Sequence, residues 1–554
     1  MITEKPRNIL QLFRAESKIP EAKLILATLV SGISNILLLI ILNTAAESIG
    51  PEISFDRLWL LLVFIIVFVL FYFGKKMILV QGCVLVANII TNIRLRIMNK
   101  IRKANLRSLE NVGQSEVFTR ISEDVSYISH TTTVIVNALQ SAVMILCSLF
   151  YIGFLSLEAL GLTLIAFAIS FLIYKSKQKA MAKAIKAATV KETEFFASLD
   201  DVIDGFKEIN IHQKKNDAVY NNLKKITEEA RGMKIETESS FVAMFMFSQS
   251  VFYILIAVIV FFMPLYADLT LLTATKIIAA LLFIIGPLEG VMTTIPLITQ
   301  ANVAIKNIYA LEERFDSILS GMNDQNPDQV VERFKTIELN NVSFNYLDKK
   351  GVSNFKSGPF NLTIEEGKII FLVGGNGSGK STLLKVLTGI YELEQGEIKL
   401  DGKVVTAGKM PQYKSLFSAI FTDFYLFDRI FGVDEVSDQK IEELIDLLQM
   451  SEKVSFEEGK FSTIHLSTGQ RKRLALITVI LENRPFFILD EVAADQDPEF
   501  KRYFYHTLLS RFKKEGRTVL VVSHDENYFS VADRILKMEN GQIISDINNE
   551  KKPK

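Results

Sequence analysis

KIIFLVGGNGSGKSTLLKVL, Lys368 to Leu387, reads as an apolar strand, a glycine-rich loop and a helix in that order. Gly374, Gly379, Lys380 and Ser381 satisfy G-x-x-x-x-G-K-[ST] in the strand–loop–helix context that the motif needs. In such a loop, from Gly374, Gly375, Asn376, Gly377 and Ser378 to Gly379, glycines let backbone N–H groups close around phosphate oxygens. The following helix, opening with Lys380, Ser381 and Thr382, adds the positive end of its dipole. Lys380 reaches the outer phosphates and Ser381 ligates Mg²⁺, so ATP and Mg²⁺ are the expected cofactors.

Three further stretches extend the site. RPFFILDE ends an apolar strand in Asp490 and Glu491. A carboxylate there can hold Mg²⁺ through water, and a second can polarise the attacking water. VLVVSHD brings His524, one of 5 histidines, to the same sheet edge, where it can contact the terminal phosphate, although a lone strand-end His is commonly structural. LSTGQRKRLAL, Leu466 to Leu476, places Ser467, Thr468, Gly469 and Gln470 at a helix N-terminus, a second anion site. One domain has little use for two sites on one phosphate, so the second is expected to serve a partner, two copies enclosing two ATP molecules.

The sequence before this engine is different in kind. The 554-residue chain is 49% hydrophobic, with mean hydropathy +0.26 and balanced charge, 62 basic against 62 acidic residues. Zero net charge gives no support for nucleic-acid binding. Cys83 and Cys147 lie in apolar stretches, which argues against a disulfide framework, and the N-terminus reads as lacking a cleaved signal. Six apolar stretches approach or exceed the roughly 20 residues that cross a bilayer. They run near Leu24 to Ala46, Leu58 to Gly74, Val134 to Leu155, Leu157 to Tyr174, Phe241 to Tyr266 and Leu269 to Ile298. Lys and Arg cluster before the first, after the second and after the fourth, whereas the opposite loops carry Glu47, Glu52, Asp56, Glu158 and Asp268; both termini are therefore expected in the cytoplasm. Segments 83–130 and 175–238 are charged and free of proline, so helices should project well beyond the bilayer. The polar stretch DSILSGMNDQNPDQVVERFK, from Asp316, marks a linker. The expected plan is a membrane α-helical domain over 1–320, a linker over 321–335 and an α/β P-loop ATPase domain over 336–554.

Over nearly its whole length the chain resembles an ATP-binding cassette (ABC) exporter, in the half-transporter form that fuses one six-helix membrane domain to one ATPase. By that resemblance Gly374 to Thr382 is the Walker A loop, Asp490 the Walker B acid and Glu491 the catalytic base. Leu466 to Gln470 is the signature, LSTGQ for the usual LSGGQ, and His524 the switch histidine. Tyr346, in VSFNY, matches the aromatic that stacks on adenine, with core packing as its plainer role. Asp497 matches the end of the D-loop, although Ala494, Asp495 and Gln496 depart from the common S-A-L. DEVAADQDPEF and FSAIFTDFYLF resemble the bacterial subgroup that exports cyclic, lasso or siderophore-type peptides. Where most cassettes carry a metal-ligating Gln, this chain has Thr422 with Asp423 beside it; either Asp423 takes the metal through water or the sensing contact is weaker.

The resemblance implies a homodimer in a bacterial cytoplasmic membrane, moving a modified or cyclic peptide or similar amphipathic metabolite outward, with segments near Asn111 to Arg120 and Asp204 to His212 docking on the cassettes. A heterodimer, a lipid flippase, a multidrug pump and a sensor that turns over ATP without cargo are the alternatives. Within the spans, Glu289 in GPLEG sits where Pro287 should break the helix, and it either meets a cationic or amide-rich cargo or marks the end of the bilayer. Gln249, with Met244 and Met246, either lines a pliable pocket or packs between helices.

Overall fold

The computed structural model describes residues 8–16, 21–47, 55–266, 270–319, 331–347, 353–433 and 436–549. The chain forms two compact units, Met1–Lys100 with Gln114–Glu313, and Ile101–Gly113 with Arg314–Lys554. Residues 321–330 of the expected linker lie outside the described residues, as do Lys5, Arg7, Lys18, Glu52 and Asp268 among the charges that set the expected orientation.

The first unit is helical: α1 Ile9–Glu16, α2 Glu21–Glu47, α3 Phe55–Lys103, α4 Leu106–Val112, α5 Gln114–Thr119, α6 Val125–Leu155, α7 Leu157–Asp204, α8 Phe206–Asn210, α9 Gln213–Phe261 and α10 Leu271–Leu319, of which α4 belongs to the second unit. Among the described residues, six helices are long and apolar enough to cross a membrane. α3, α9 and α10 have 49 residues each, about 74 Å at 1.5 Å per residue, more than twice the roughly 30 Å hydrocarbon thickness. The charged ends of α3 and α9 therefore extend beyond it, as expected for segments 83–130 and 175–238, and α10 does so as well. The turn between α6 and α7 is the single residue Ser156, whose hydroxyl accepts the Ala159 N–H at 3.1 Å and starts α7.

In this unit large apolar side chains face outward as well as filling the interior. Trp59, Leu61, Leu62, Ile65, Ile66 and Phe73 of α3 are all more than two-fifths exposed, as lipid-facing side chains are. Small and polar residues lie inside: a Cβ at Gly74 would stand 3.2 Å from Ser31, and one at Gly32 would strike Val143 at 2.5 Å, so these glycines let the helices approach closely. Gln140 is buried, donates to Ser31 Oγ at 2.9 Å and accepts from Lys75. Near the far end of α10, buried Glu312 accepts from Arg96 at 2.8 Å and pairs with Lys100 at 3.3 Å.

The expected break at Pro287 is absent, because α10 continues through both Pro287 and Pro296. Neighbouring membrane helices hold a proline-containing helix together and satisfy the group it frees. Glu289 is consequently a helical side chain, exposed, about 27 Å along α10 from Leu271. Met244 is buried in helix packing while Met246 faces outward, and Gln249 is half-buried between these directions.

The second unit adds α4 to strands and helices in the order β1 Thr336–Leu347, β2 Ser353–Glu365, β3 Ile369–Val373, α11 Lys380–Leu387, β4 Gln395–Leu400, β5 Lys403–Val404, α12 Met410–Lys414, β6 Phe417–Ile420, α13 Asp438–Leu447, β7 Phe456–Glu457, β8 Lys460–Phe461, α14 Thr468–Glu482, β9 Phe486–Asp490, α15 Pro498–Arg502, α16 Leu509–Lys514, β10 Thr518–Val522, β11 Arg534–Glu539 and β12 Gln542–Asn548. The main sheet has the order β12-β11-β3-β10-β9-β6, parallel except for β12, and an antiparallel sheet β2-β1-β4-β5 stands apart from it. Both faces of the central strands β3, β9 and β10 are covered, so these strands are almost wholly apolar, whereas the edge strand β12 is polar and largely exposed. Ile369 and Phe371 pack into one core with Phe487, Leu489, Val519 and Val521, while Ile370 and Leu372 enter another with Phe486, Ile488, Leu520 and Val522. This is the two-residue alternation of a sheet buried on both sides.

Candidate functional site

Parallel strands β3, β9 and β10 all end at one edge, and each delivers part of the site there, as ligand sites do in open α/β sheets. After β3 the loop turns through Gly377 and Gly379 at φ +76° and +96°, backbone that disfavours any side chain. At Gly374 the restriction is contact instead, since a Cβ would lie 2.4 Å from the Met538 carbonyl oxygen. Lys380 opens α11 and folds its ammonium back over the loop, donating to the carbonyls of Gly374 at 2.9 Å and Gly375 at 3.0 Å. Ser378 Oγ is buried and has no hydrogen-bond partner, a polar atom free for a ligand oxygen.

Asp490 ends β9, nearly fully buried. Its Oδ2 accepts from Ser381 Oγ at 3.5 Å and from the Thr422 N–H at 3.4 Å. Burial is the main cause that pushes its carboxyl above the ordinary aspartate range; neighbouring Glu491 adds to the rise and the Thr422 hydrogen bonds oppose it. No cluster of three or more His, Cys, Asp or Glu among the described residues is ready to hold a metal. Ser381 and Asp490 instead supply two hard oxygens, a set that fits Mg²⁺ held largely by phosphates and water.

An acid whose pKa is raised by folding gives a stability contribution that is complete below its unfolded value, near 3.8, and is lost as pH rises through the folded value. At neutral pH the buried carboxylate is therefore a cost. Asp490→Asn, which keeps an acceptor for Thr422, is expected to raise the melting temperature of the ATPase unit at pH 7.5 in scanning calorimetry of the full chain. The gain should shrink on acidification, and a lower melting temperature at pH 7.5 would contradict the assignment of a buried charge.

Glu491 follows at φ +52°, a left-handed conformation that costs free energy for a residue with a side chain. Its carbonyl accepts from Lys472 Nζ at 2.8 Å and its N–H donates to Val522 at 3.3 Å, which fixes the turn. The carboxylate is thereby aimed along the sheet edge, with His524 Nε2 3.3 Å from its Oε1. Tyr346, half-buried beside Phe344 and Phe355, sets its hydroxyl 3.2 Å from Thr382 Oγ1 on the first turn of α11. The structure thus brings together the loop, Asp490, Glu491, His524 and Tyr346.

Ser467, Thr468, Gly469 and Gln470 start α14, where Ser467 and Gln470 cap each other reciprocally. Gly469 meets the turn that holds Asp497. Gln496 Nε2 donates to the Gly469 carbonyl at 2.8 Å, and a Cβ on Gly469 would strike the Asp495 carbonyl oxygen at 2.4 Å. Arg473 binds Gln496 at 2.8 Å, pairs with Asp497 and stacks 3.9 Å over Phe500. Asp497 also caps α15 by accepting the Phe500 N–H at 2.8 Å. Asp423 lies elsewhere: mostly exposed, it is 3.7 Å from Lys385 Nζ, while Thr422 makes the contact with Asp490.

The clamps formed by Lys472, Arg473 and Gln496 are absent from the sequence reading. Their one signal was the basic run QRKR on a helix whose second and third basic residues are buried.

A phosphate loop and strand-end carboxylates on a doubly wound sheet, in a chain with six membrane-length helices, define a membrane-bound P-loop ATPase. Family comparison agrees, with the model for the ABC transporter matching residues 358–494 and that for the ABC transporter transmembrane region matching 22–287. The chain belongs to the ABC transporter family, as an exporter that fuses both parts and couples ATP hydrolysis to transport. It is 30% identical over 539 residues to the ATP-binding protein SyrD of Pseudomonas syringae pv. syringae, covering 94% of this chain and 93% of that protein. An ATP-dependent lipid A-core flippase of Idiomarina loihiensis is 25% identical over 446 residues, 76% of this chain and 74% of that one. The subtilin transport ATP-binding protein SpaT of Bacillus subtilis is 28% identical over 273 residues, 46% of this chain and 43% of that one. Among solved structures, a bacterial Atm1-family ABC exporter with ATP bound shares the fold at TM-score 0.75 and 16% identity, over 95% of this chain and 94% of that one.

Proposed function

We propose that the chain works as a homodimer in a bacterial cytoplasmic membrane, termini inside, exporting a modified or cyclic peptide or a similar amphipathic metabolite. Each of two ATP molecules is held by residues 374–382 of one copy and by Ser467 to Gln470 of the other. Tyr346 stacks on adenine, Lys380 neutralises the outer phosphates, and Ser381 and Asp490 would hold Mg²⁺, which would offset negative charge on the phosphates. Glu491 orients and polarises the attacking water, and His524 faces the terminal phosphate. Asp497 and its clamp to Arg473 carry the signature helix at the seam between copies. Asp423, paired with Lys385, is left outside the metal's own oxygens.

The cargo reading is supported by the relative named for subtilin transport, together with the likeness of DEVAADQDPEF and FSAIFTDFYLF to the peptide-exporting subgroup. Pairing of two copies is supported by Ile203, Phe206 and Ile211 around the short helix α8, apolar side chains 63%, 59% and 74% exposed on a charged segment. In the spans, the exposed carboxylate of Glu289 suits the ammonium or amide groups of a peptide. The lipid A-core flippase relatives favour a second reading, lipid as cargo.

Proteoliposomes with the ATPase outward separate these. Given a panel of labelled cyclic and lasso peptides beside a labelled lipid, ATP should drive uptake of at least one peptide. Uptake of lipid alone would reject the peptide reading, and ATP turnover without any flux would favour the sensor.

A further inference from the structure

Glu110 is a charged residue that the nucleotide-site reading leaves without a role, and its partners Tyr391 and Lys385 belong to the ATPase unit. It sits on α4, a seven-residue helix started by Asn105, whose side chain accepts the Ser108 N–H at 2.9 Å, and ended by Gly113 at φ +81°. The segment Ile101–Gly113 belongs to the second unit, so the expected docking segment, Asn111 to Arg120, overlaps it only at residues 111–113. Leu106 packs into the ATPase core. Arg107 pairs with Glu394 at 3.5 Å and lies 5.4 Å over the Phe344 ring, and Asn105 donates to Glu392 at 3.0 Å.

Glu110 differs from these flanking contacts in what lies behind its partners. It accepts the Tyr391 hydroxyl at 2.9 and 3.0 Å, and Lys385 Nζ stands 3.6 Å away. Tyr391 is 2% exposed, so its hydroxyl needs this acceptor. Its ring stacks on Phe344 at 4.4 Å and meets the edge of Tyr346 at 6.0 Å, and Tyr346 reaches Thr382. Lys385 is one helical turn beyond Ser381 and is shared with Asp423 at 3.7 Å. Asp423 adjoins Thr422, whose N–H holds Asp490. Two routes therefore leave one carboxylate, one ending at the phosphate-loop helix and the other at the metal-side acid. The second passes through the position where a Gln is missing.

We propose that Glu110 is a positioning residue for ATP turnover: through Lys385 and Tyr391 it sets the Thr422–Asp490 contact and the Tyr346–Thr382 edge, so that hydrolysis depends on how α4 is seated. The proposal rests on the nucleotide-site reading above. Moving α4 by an ångström would shift Lys385 between Glu110 and Asp423 and change how Asp490 is presented, without touching the loop that binds ATP.

The test uses the full chain in lipid nanodiscs, measuring ATP turnover against ATP and Mg²⁺ and binding of a fluorescent ATP analogue. Glu110→Gln, which keeps an oxygen for Tyr391 and removes the charge facing Lys385, is expected to lower kcat about tenfold, the usual size of a coupling between sites. Half-saturation should move to higher Mg²⁺ while analogue binding changes by less than about twofold. Lys385→Met should do the same, and the double variant should be no worse than the poorer single one, because both act through one contact. A merely structural role would lower the amount of binding-competent protein and leave the Mg²⁺ dependence alone. Turnover and Mg²⁺ dependence of Glu110→Gln within about twofold of the parent, or losses that add in the double variant, would overturn the proposal. If Glu491→Gln also retained turnover, the nucleotide-site reading would be the part at fault.

Discussion

Glu491→Gln is expected to cut ATP turnover by about a thousandfold, close to 4 kcal/mol of barrier, while ATP binding survives. The exchange keeps the size of the side chain and a carbonyl oxygen for His524, 3.3 Å away, but removes the negative charge proposed to polarise the attacking water. Nothing that holds the turn is lost. The Lys472 ammonium binds the backbone carbonyl of residue 491, and the N–H to Val522 is likewise backbone, so the left-handed conformation persists. Phosphate release by the purified chain, with analogue binding measured in parallel, checks both halves. Turnover within tenfold of the parent would remove Glu491 from its role and leave Asp490, whose carboxylate is committed to Ser381 and Thr422, a poor substitute.

The parts of this account that sequence made legible are those in which one local segment must have one geometry. Gly377 and Gly379 are required by backbone angles within the loop, and the strand before it is apolar because both of its faces are covered. Six long apolar helices were equally legible, since length and composition suffice. What escaped was long-range. The path of α10 through Pro287 depends on neighbouring helices rather than on the proline. Lys472 and Arg473 find their partners in Asp495, Gln496 and Asp497, 23 or 24 positions further along the chain, which only folding brings against them. Thr422 showed only as a missing glutamine; that its backbone holds Asp490, and that Asp423 turns to Lys385, follows from a loop whose partners come from other elements. Glu110 lies some 280 residues from Tyr391 in the chain, a separation over which periodicity carries no signal.

The second large effect concerns the seam between copies. Lys380→Met is expected to lower ATP affinity at least about a hundredfold, because the ammonium proposed to neutralise the outer phosphates is replaced by an uncharged side chain. Ser467→Arg is expected to bind ATP normally and hydrolyse almost none. Ser467 is exposed and its cap is worth only about 1 kcal/mol, so the helix still forms, but the new side chain stands where a second copy's nucleotide would dock. Each variant alone is inactive. Mixed and co-reconstituted, a Lys380→Met chain offers an intact signature to the intact loop of a Ser467→Arg chain. The central claim, that residues 466–470 serve the neighbour's ATP, predicts that the mixture regains a measurable share of parent turnover. If the mixture stays as silent as its components while parent chains mixed in the same way remain active, the signature acts within its own chain or not at all, and the two-copy account is contradicted.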